Sequence, residues 1–155
     1  MNSSIIIRPF IDADANDISS IIIDCIKNLS NEFYDTQAID TLCLFYTPQH
    51  ILYYSKIDNI FTAVSDSVVV GTISLYGDTI RNLFIKRNFQ KMGIGRMLMD
   101  FIENMAKENN INTLYVNSNI SAYNFYQSLG FSFKKVKLEK IGNSFIKTVF
   151  MEKKI

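Results

Sequence analysis

Apolar and polar positions alternate along this chain with two periods. Ser4 to Arg8 reads as a first strand that Pro9 closes, and Asp12, Asp14 and Asp17 then supply acidic helix-start chemistry. Ile18, Ile21, Ile22, Cys25, Ile26 and Leu29 recur at helical spacing. A polar joint, Ser30 to Gln37, leads into a second helical region. Within it Thr47-Pro48 is a start signal, Thr as N-cap and Pro at the first helical position, and the helix is expected to run to about Lys56. Ile60–Val64, Val68–Tyr76 and Ile80–Ile85 are strand-like runs separated by Ser65-Asp66-Ser67 and Gly77-Asp78, which predicts an antiparallel meander. Met97, Leu98, Phe101, Ile102, Met105 and Ala106 form a stripe on a further helix that Asn109-Asn110 ends. A strand at Thr113–Val116 follows, then a short helix over Ser121–Leu129 with Gly130 as a left-handed cap. Phe131–Leu138 and Ser144–Met151 are the last two strands, joined through Ile141-Gly142-Asn143. The predicted order is β-α-α-β-β-β-α-β-α-β-β: a mixed α/β fold with a largely antiparallel sheet, in one domain spanning 1–155.

Composition narrows the function classes. With 155 residues, 48% hydrophobic and 20% charged, the chain can bury a substantial single core. A formal net charge of +1 and the lack of a basic-aromatic repeat argue against nucleic acid. No apolar run reaches membrane-spanning length, and Ser4–Arg8 is too short for a signal-peptide core, so no membrane association and a cytoplasmic location are expected. Cys25 and Cys43 are too few for a disulfide framework, and Cys25 falls on an apolar helix face. The one histidine, His50, has no metal-ligand spacing around it, so no metal is expected.

The chemistry concentrates in Gln90-Lys91-Met92-Gly93-Ile94-Gly95-Arg96, between the strand ending Leu83-Phe84-Ile85 and the amphipathic helix. A glycine-rich turn at a helix N-terminus presents unpaired N–H groups and positive potential, which suits phosphate. A Walker loop would need Lys and Ser or Thr after its last glycine, but Arg96-Met97 stand there. A dinucleotide fingerprint would need a third glycine where Leu98 stands. Gln90, Gly93 and Gly95 fit a third pattern, Gln/Arg-x-x-Gly-x-Gly/Ala. Arg81, Lys86, Arg87, Lys91 and Arg96 succeed one another with no acidic residue before Asp100, which favours an anionic ligand.

With the downstream run Asn119-x-x-Ala122-x-x-Phe125-Tyr126-x-x-x-Gly130-Phe131 and the ending Met151-Glu152-Lys153, the chain resembles the GCN5-related N-acetyltransferase family from roughly Val68 onward. The resemblance implies the acyl-CoA N-acyltransferase fold, acetyl-CoA as co-substrate and a small-molecule or peptide amine as acceptor. Dimers are common in that family. It implies that Gln90, Lys91, Met92, Gly93, Ile94, Gly95 and Arg96 wrap the CoA pyrophosphate, chiefly through backbone. It also implies that Leu83, Phe84 and Ile85 pair with the pantetheine arm, in a splay between that strand and Thr113–Val116, with one N–H bonding the thioester oxygen. Asn119 would hold the arm and cap a helix, and Tyr126 would protonate the departing thiolate. One departure is Arg87, where many members carry Pro.

The resemblance identifies no general base. The positions where two branches of the family place a Glu fall here on Leu114 and near Thr79, beside Asp78. Asp78, Glu32, Asp35 or a water chain remain open. Glu32, Phe33, Tyr34, Asp35 and Tyr46 mix aromatic and acidic groups, as an amine pocket would. The alternative to an enzyme is a non-catalytic acyl-CoA-binding sensor or scaffold module, against which Tyr126 weighs and for which the missing base weighs.

Overall fold

The computed structural model describes residues 3–29 and 31–155. In chain order the elements are β1 (Ile5–Pro9), α1 (Ala15–Lys27), α2 (Thr36–Leu44), α3 (Pro48–Tyr54), β2 (Asn59–Ser65), β3 (Val68–Tyr76) and β4 (Thr79–Ile85). Then come α4 (Ile94–Glu108), β5 (Thr113–Asn119), α5 (Tyr123–Ser128), β6 (Ser132–Ile141) and β7 (Ser144–Lys154). One mixed sheet has the order β1-β2-β3-β4-β5-β7-β6. Every neighbouring pair is antiparallel except β4 and β5, the two strands joined by the α4 crossover.

The expected meander and the two C-terminal strands are present. Two differences have local causes. Three helices, not two, separate β1 from β2, because Asp35 caps an additional one: its carboxylate accepts the Ala38 N–H at 2.7 Å. That cap sits inside the stretch expected to be a joint, whose first residue, Ser30, lies outside the described residues. Thr47 caps α3 as its Thr-Pro signal predicts. On α4 the buried set is Ile94, Leu98, Met99, Ile102 and Ala106, whereas Met97 is exposed. The stripe is turned toward Ile94 and Met99, which leaves Met97 on its flank.

The sheet separates two apolar clusters. One joins the sheet to α4 and α5 through Leu98, Ile102, Leu114, Val116, Tyr126 and Phe131. The other joins it to α1, α2 and α3 through Ile18, Ile22, Ala38, Ile39, Ile51 and Ile146. Among the described residues no helix is long and apolar enough to cross a membrane.

An ion pair with a buried carboxylate and a partly exposed guanidinium ties the first strand to the first helix. Arg8 donates to both carboxylate oxygens of Asp14, at 2.7 and 2.9 Å. The same carboxylate accepts from the Ile11 N–H at 3.0 Å and from the Thr62 hydroxyl at 3.2 Å. Burial alone would raise the Asp14 pKa; the Arg8 and Ile11 donors outweigh it and hold the carboxyl below its ordinary value. A depressed carboxyl stabilises the fold above its unfolded pKa and loses that contribution as pH falls through the folded pKa. Asp14→Asn is therefore expected to destabilise the neutral protein by about 1–3 kcal/mol in denaturant unfolding. The gap between variant and wild type should shrink once pH drops below the normal carboxyl range.

Candidate active site

The parallel pair β4–β5 is short. Only Thr79 with Tyr115 and Ile80 with Val116 are in register; beyond them the strands part. The cause lies in β4 itself. Its pairing with β3 slips between Thr72 and Ser74, and Asn82 sits in the slip with φ +52°. Asn tolerates this left-handed backbone better than most residues. Its side chain is also held, because the Tyr46 hydroxyl donates to Asn82 Oδ1 at 3.1 Å. The bulge turns β4 away from β5.

Past the fork, Lys86 N–H bonds Val70 C=O at 2.8 Å. By strand alternation Leu83 and Ile85 then turn their polar backbone groups toward the open side. The Ile85 carbonyl there is already taken, by Gln90 Nε2 at 3.0 Å and the Cys25 thiol at 3.3 Å. Gln90 thus locks the strand exit to the loop, and Cys25 braces it from α1.

The loop that follows has two left-handed residues, Lys91 (φ +61°) and Gly93 (φ +84°). Gly93 is the N-cap of α4, with no side-chain cap, and the first bond of the helix is Met97 N–H to Gly93 C=O at 3.0 Å. Among the described residues, no backbone N–H from Lys91 to Arg96 reaches a protein acceptor. The two glycines serve different ends. Gly93 supplies the positive φ, whereas a Cβ on Gly95 would lie 3.2 Å from Phe125 Cζ. Ile94 is buried and pins the turn to the core, while Lys91, Met92 and Arg96 are exposed.

The run of basic residues divides. Arg81 pairs with buried Asp58 at 3.3 Å and stacks over the Tyr76 ring, and Arg87 pairs with Asp24 at 3.7 Å. Lys86, Lys91 and Arg96 form no ion pair among the described residues, so free positive charge lies beside the loop rather than along the whole stretch.

The fork opens into a cavity of about 400 Å³. Leu83, Phe84, Asn119, Ala122 and Tyr126 line one part of it; Tyr34, Tyr46, Tyr54, Phe45, Asn117, Glu139 and Thr148 line the rest. Asn119 Oδ1 accepts the Ala122 N–H at 3.0 Å, so its cap role is present, and the residue also lines the cavity. Tyr126 is 5% exposed and packs edge-on against Phe125 and Phe131. Burial pushes its phenol pKa well above the ordinary value, so the proton stays on at neutral pH. Burial likewise pushes Tyr46 up to about 12. Tyr34 accepts the Ile120 N–H at 3.2 Å and thereby ties the cavity wall to the turn between β5 and α5.

Some expected site residues are elsewhere. Asp35 is spent on capping α2 and on the Ser144 hydroxyl, at 3.3 Å. Glu32 and Phe33 are exposed and do not line the cavity, and Asp78 is exposed at the β3–β4 turn. Of the expected aromatic and acidic set only Tyr34 and Tyr46 reach the cavity. Sequence reasoning missed Asn82, Asn117, Glu139 and Thr148. Only the left-handed tolerance of Asn82 had a local signal; the other three meet through strand pairing. Among the described residues, no group of three His, Cys, Asp or Glu side chains is placed to hold a metal ion.

The model of an acetyltransferase (GNAT) domain matches residues 34–155, well over half of the chain. A candidate acetyltransferase of Bacillus subtilis (strain 168) is 27% identical over 107 residues, 66% of this chain. The match spans 63% of that relative, under two thirds of its length. A GCN5-related N-acetyltransferase crystal structure from Rhodopseudomonas palustris superposes with a TM-score of 0.92 at 22% identity, covering 100% of this chain and 99% of that one. The PaiA N-acetyltransferase of Thermoplasma acidophilum, solved in complex with coenzyme A, superposes with a TM-score of 0.76 at 22% identity, covering 98% and 99%.

If the Asn82 bulge holds the fork open, Asn82→Val should be costly locally. A β-branched residue at this φ is strained by about 1–2 kcal/mol, and the variant also strands the Tyr46 hydroxyl. Denaturant unfolding should show a loss of at least that size, while Asn82→Gly, which relieves the backbone, should lose less.

Proposed function

Because the chain belongs to the GNAT acetyltransferase family, we propose that it moves the acetyl group of acetyl-CoA onto a primary amine of a small molecule or peptide, by direct attack in a ternary complex. The observation that supports this most is the continuity of the open β4 edge with a loop of unpaired N–H groups. An arm lying along Leu83 and Ile85 would lead a pyrophosphate directly to the N-terminus of α4. The fit is chemical as well as spatial. The N–H groups from Lys91 to Arg96 can surround phosphate oxygens, and no side chain would crowd them at Gly93, where even an added Cβ would meet nothing within 4 Å.

In this reading an outward N–H of the Leu83–Ile85 segment polarises the thioester carbonyl as negative charge builds on its oxygen. Asn119 holds the pantetheine arm through its free amide nitrogen. Attack forms the N–C bond and breaks the C–S bond. Tyr126, protonated at neutral pH, gives the sulfur its proton and is restored by a proton from the nitrogen.

Three outcomes are expected. Acetyl-CoA at a hundred times its dissociation constant should stabilise the protein by about 2.7 kcal/mol in thermal unfolding, with no effect of NAD or ATP. No shift at millimolar acetyl-CoA would refute the cofactor. Gly93→Asp should abolish that shift, because it adds bulk and negative charge where phosphate sits. Tyr126→Phe should lower kcat by about a hundredfold while keeping the acetyl-CoA shift; unchanged turnover would remove Tyr126 as the acid.

A further inference from the structure

Asn117 is the first residue of β5 beyond the last β4–β5 pair, so it stands at the point of the fork. Its amide nitrogen donates to Glu139 Oε1 on β6. An ionised carboxylate can only accept, so this bond fixes which way the amide lies. Asn117 Oδ1 must then face away from Glu139, and it is buried with no donor. A second orphan lies on the same sheet face: the Thr148 hydroxyl oxygen, on a residue only 6% exposed.

Strand pairing puts these groups together. Thr148 lies opposite Asn119 on one side and opposite Lys137 on the other. Asn117 and Glu139 each stand two residues along from those partners, so Asn117, Thr148 and Glu139 share one sheet face. All three line the same cavity, and Glu139 is its one carboxylate among the described residues. Of the basic groups near it, Arg81 is paired with Asp58, and Lys137 lies over the Phe150 ring. The remaining wall is largely apolar, aliphatic through Leu42 and Ile146 and aromatic through Phe45, Phe84, Tyr46 and Tyr54.

A buried amide oxygen and a buried hydroxyl without partners are costly; the first calls for a donor, and the second can accept one as well. An ammonium group has three N–H donors and no acceptor. We propose that Glu139, Asn117 Oδ1 and Thr148 Oγ1 form the acceptor subsite and receive the ammonium of an aryl- or alkyl-substituted primary amine, whose apolar body lies against the apolar wall. This rests on the acetyltransferase reading and supplies the base missing from it. The ammonium gives one proton to the Glu139 carboxylate. The freed lone pair forms the N–C bond as the C–S bond breaks, the sulfur takes the Tyr126 proton, and the second nitrogen proton restores Tyr126. Glu139 returns its proton to solvent, so charge and atoms balance.

The test uses phenethylamine as probe, with acetyl-CoA, following thiol release by wild type, Glu139→Gln and Thr148→Val. Both replacements keep size, and the amide oxygen introduced by Glu139→Gln could still accept from Asn117, so folding should survive. Equal acetyl-CoA melting shifts across the three proteins would show intact folds and cofactor sites. Glu139→Gln is then expected to raise the phenethylamine KM at least about tenfold, and Thr148→Val by about threefold, as loss of a charged and a neutral hydrogen bond would. Unchanged KM in Glu139→Gln overturns the proposal. So does a wild type that binds acetyl-CoA yet neither turns over phenethylamine nor gains a further melting shift from it in the presence of CoA. A wild type that shows no acetyl-CoA shift refutes the acetyltransferase reading itself, and this subsite with it.

Discussion

The site depends on two neighbouring strands failing to stay paired. β4 and β5 share a short parallel register and then diverge, because Asn82 takes a left-handed backbone and Tyr46 holds its side chain there. Unpaired strand edges inside a sheet are normally costly, since each exposed N–H and C=O loses a partner. Here the cost is limited locally. Gln90 and Cys25 occupy the Ile85 carbonyl, and the remaining groups face a cavity. The same divergence lets the two sides of the sheet communicate. Tyr126, from the α5 side, and Glu139, from the side covered by α1, α2 and α3, line one space.

Burial decides the protonation chemistry of that space. Tyr34, Tyr46 and Tyr126 are all shifted upward, with desolvation as the leading cause in each. None is therefore a ready source of negative charge at neutral pH, and the cavity's formal negative charge comes from Glu139. A largely apolar cavity wall with Glu139 as its one carboxylate among the described residues, and with Asn117 Oδ1 and the Thr148 hydroxyl unpartnered, suits a cation that carries its own donors. The loop at α4 has the opposite bias, with bare N–H groups and with Lys91 and Arg96 outside every ion pair among the described residues. The two ends of the site thus favour ligands of opposite charge.

Much of this fold is legible in the chain because its signals are local. Strand runs, the Thr47-Pro48 start, the Gly130 cap and the Gly93–Gly95 loop each depend on residues within one or two turns. The misleading signals are also local but weaker. Asp35 is a capping residue that resembles an acidic pocket residue until its partner Ala38 is seen. Met97 fits the helical stripe as well as Met99 does, and only the angle at which α4 meets the sheet buries one and exposes the other.

By itself the sequence determined the seven strands in their chain order, the glycine turn at the start of α4, and the motif spacing of Asn119 and Tyr126, since each depends on residues close together in the chain. Only the tertiary structure decided where β4 and β5 separate, that Asp35 and Arg81 are engaged elsewhere, and that Asn117, Glu139 and Thr148 meet on one face. Those three residues lie on different strands. Cross-strand register puts them on a shared face, the Asn117–Glu139 hydrogen bond closes the gap between two of them, and register is set by the packing of the whole sheet rather than by any residue's neighbours in the chain.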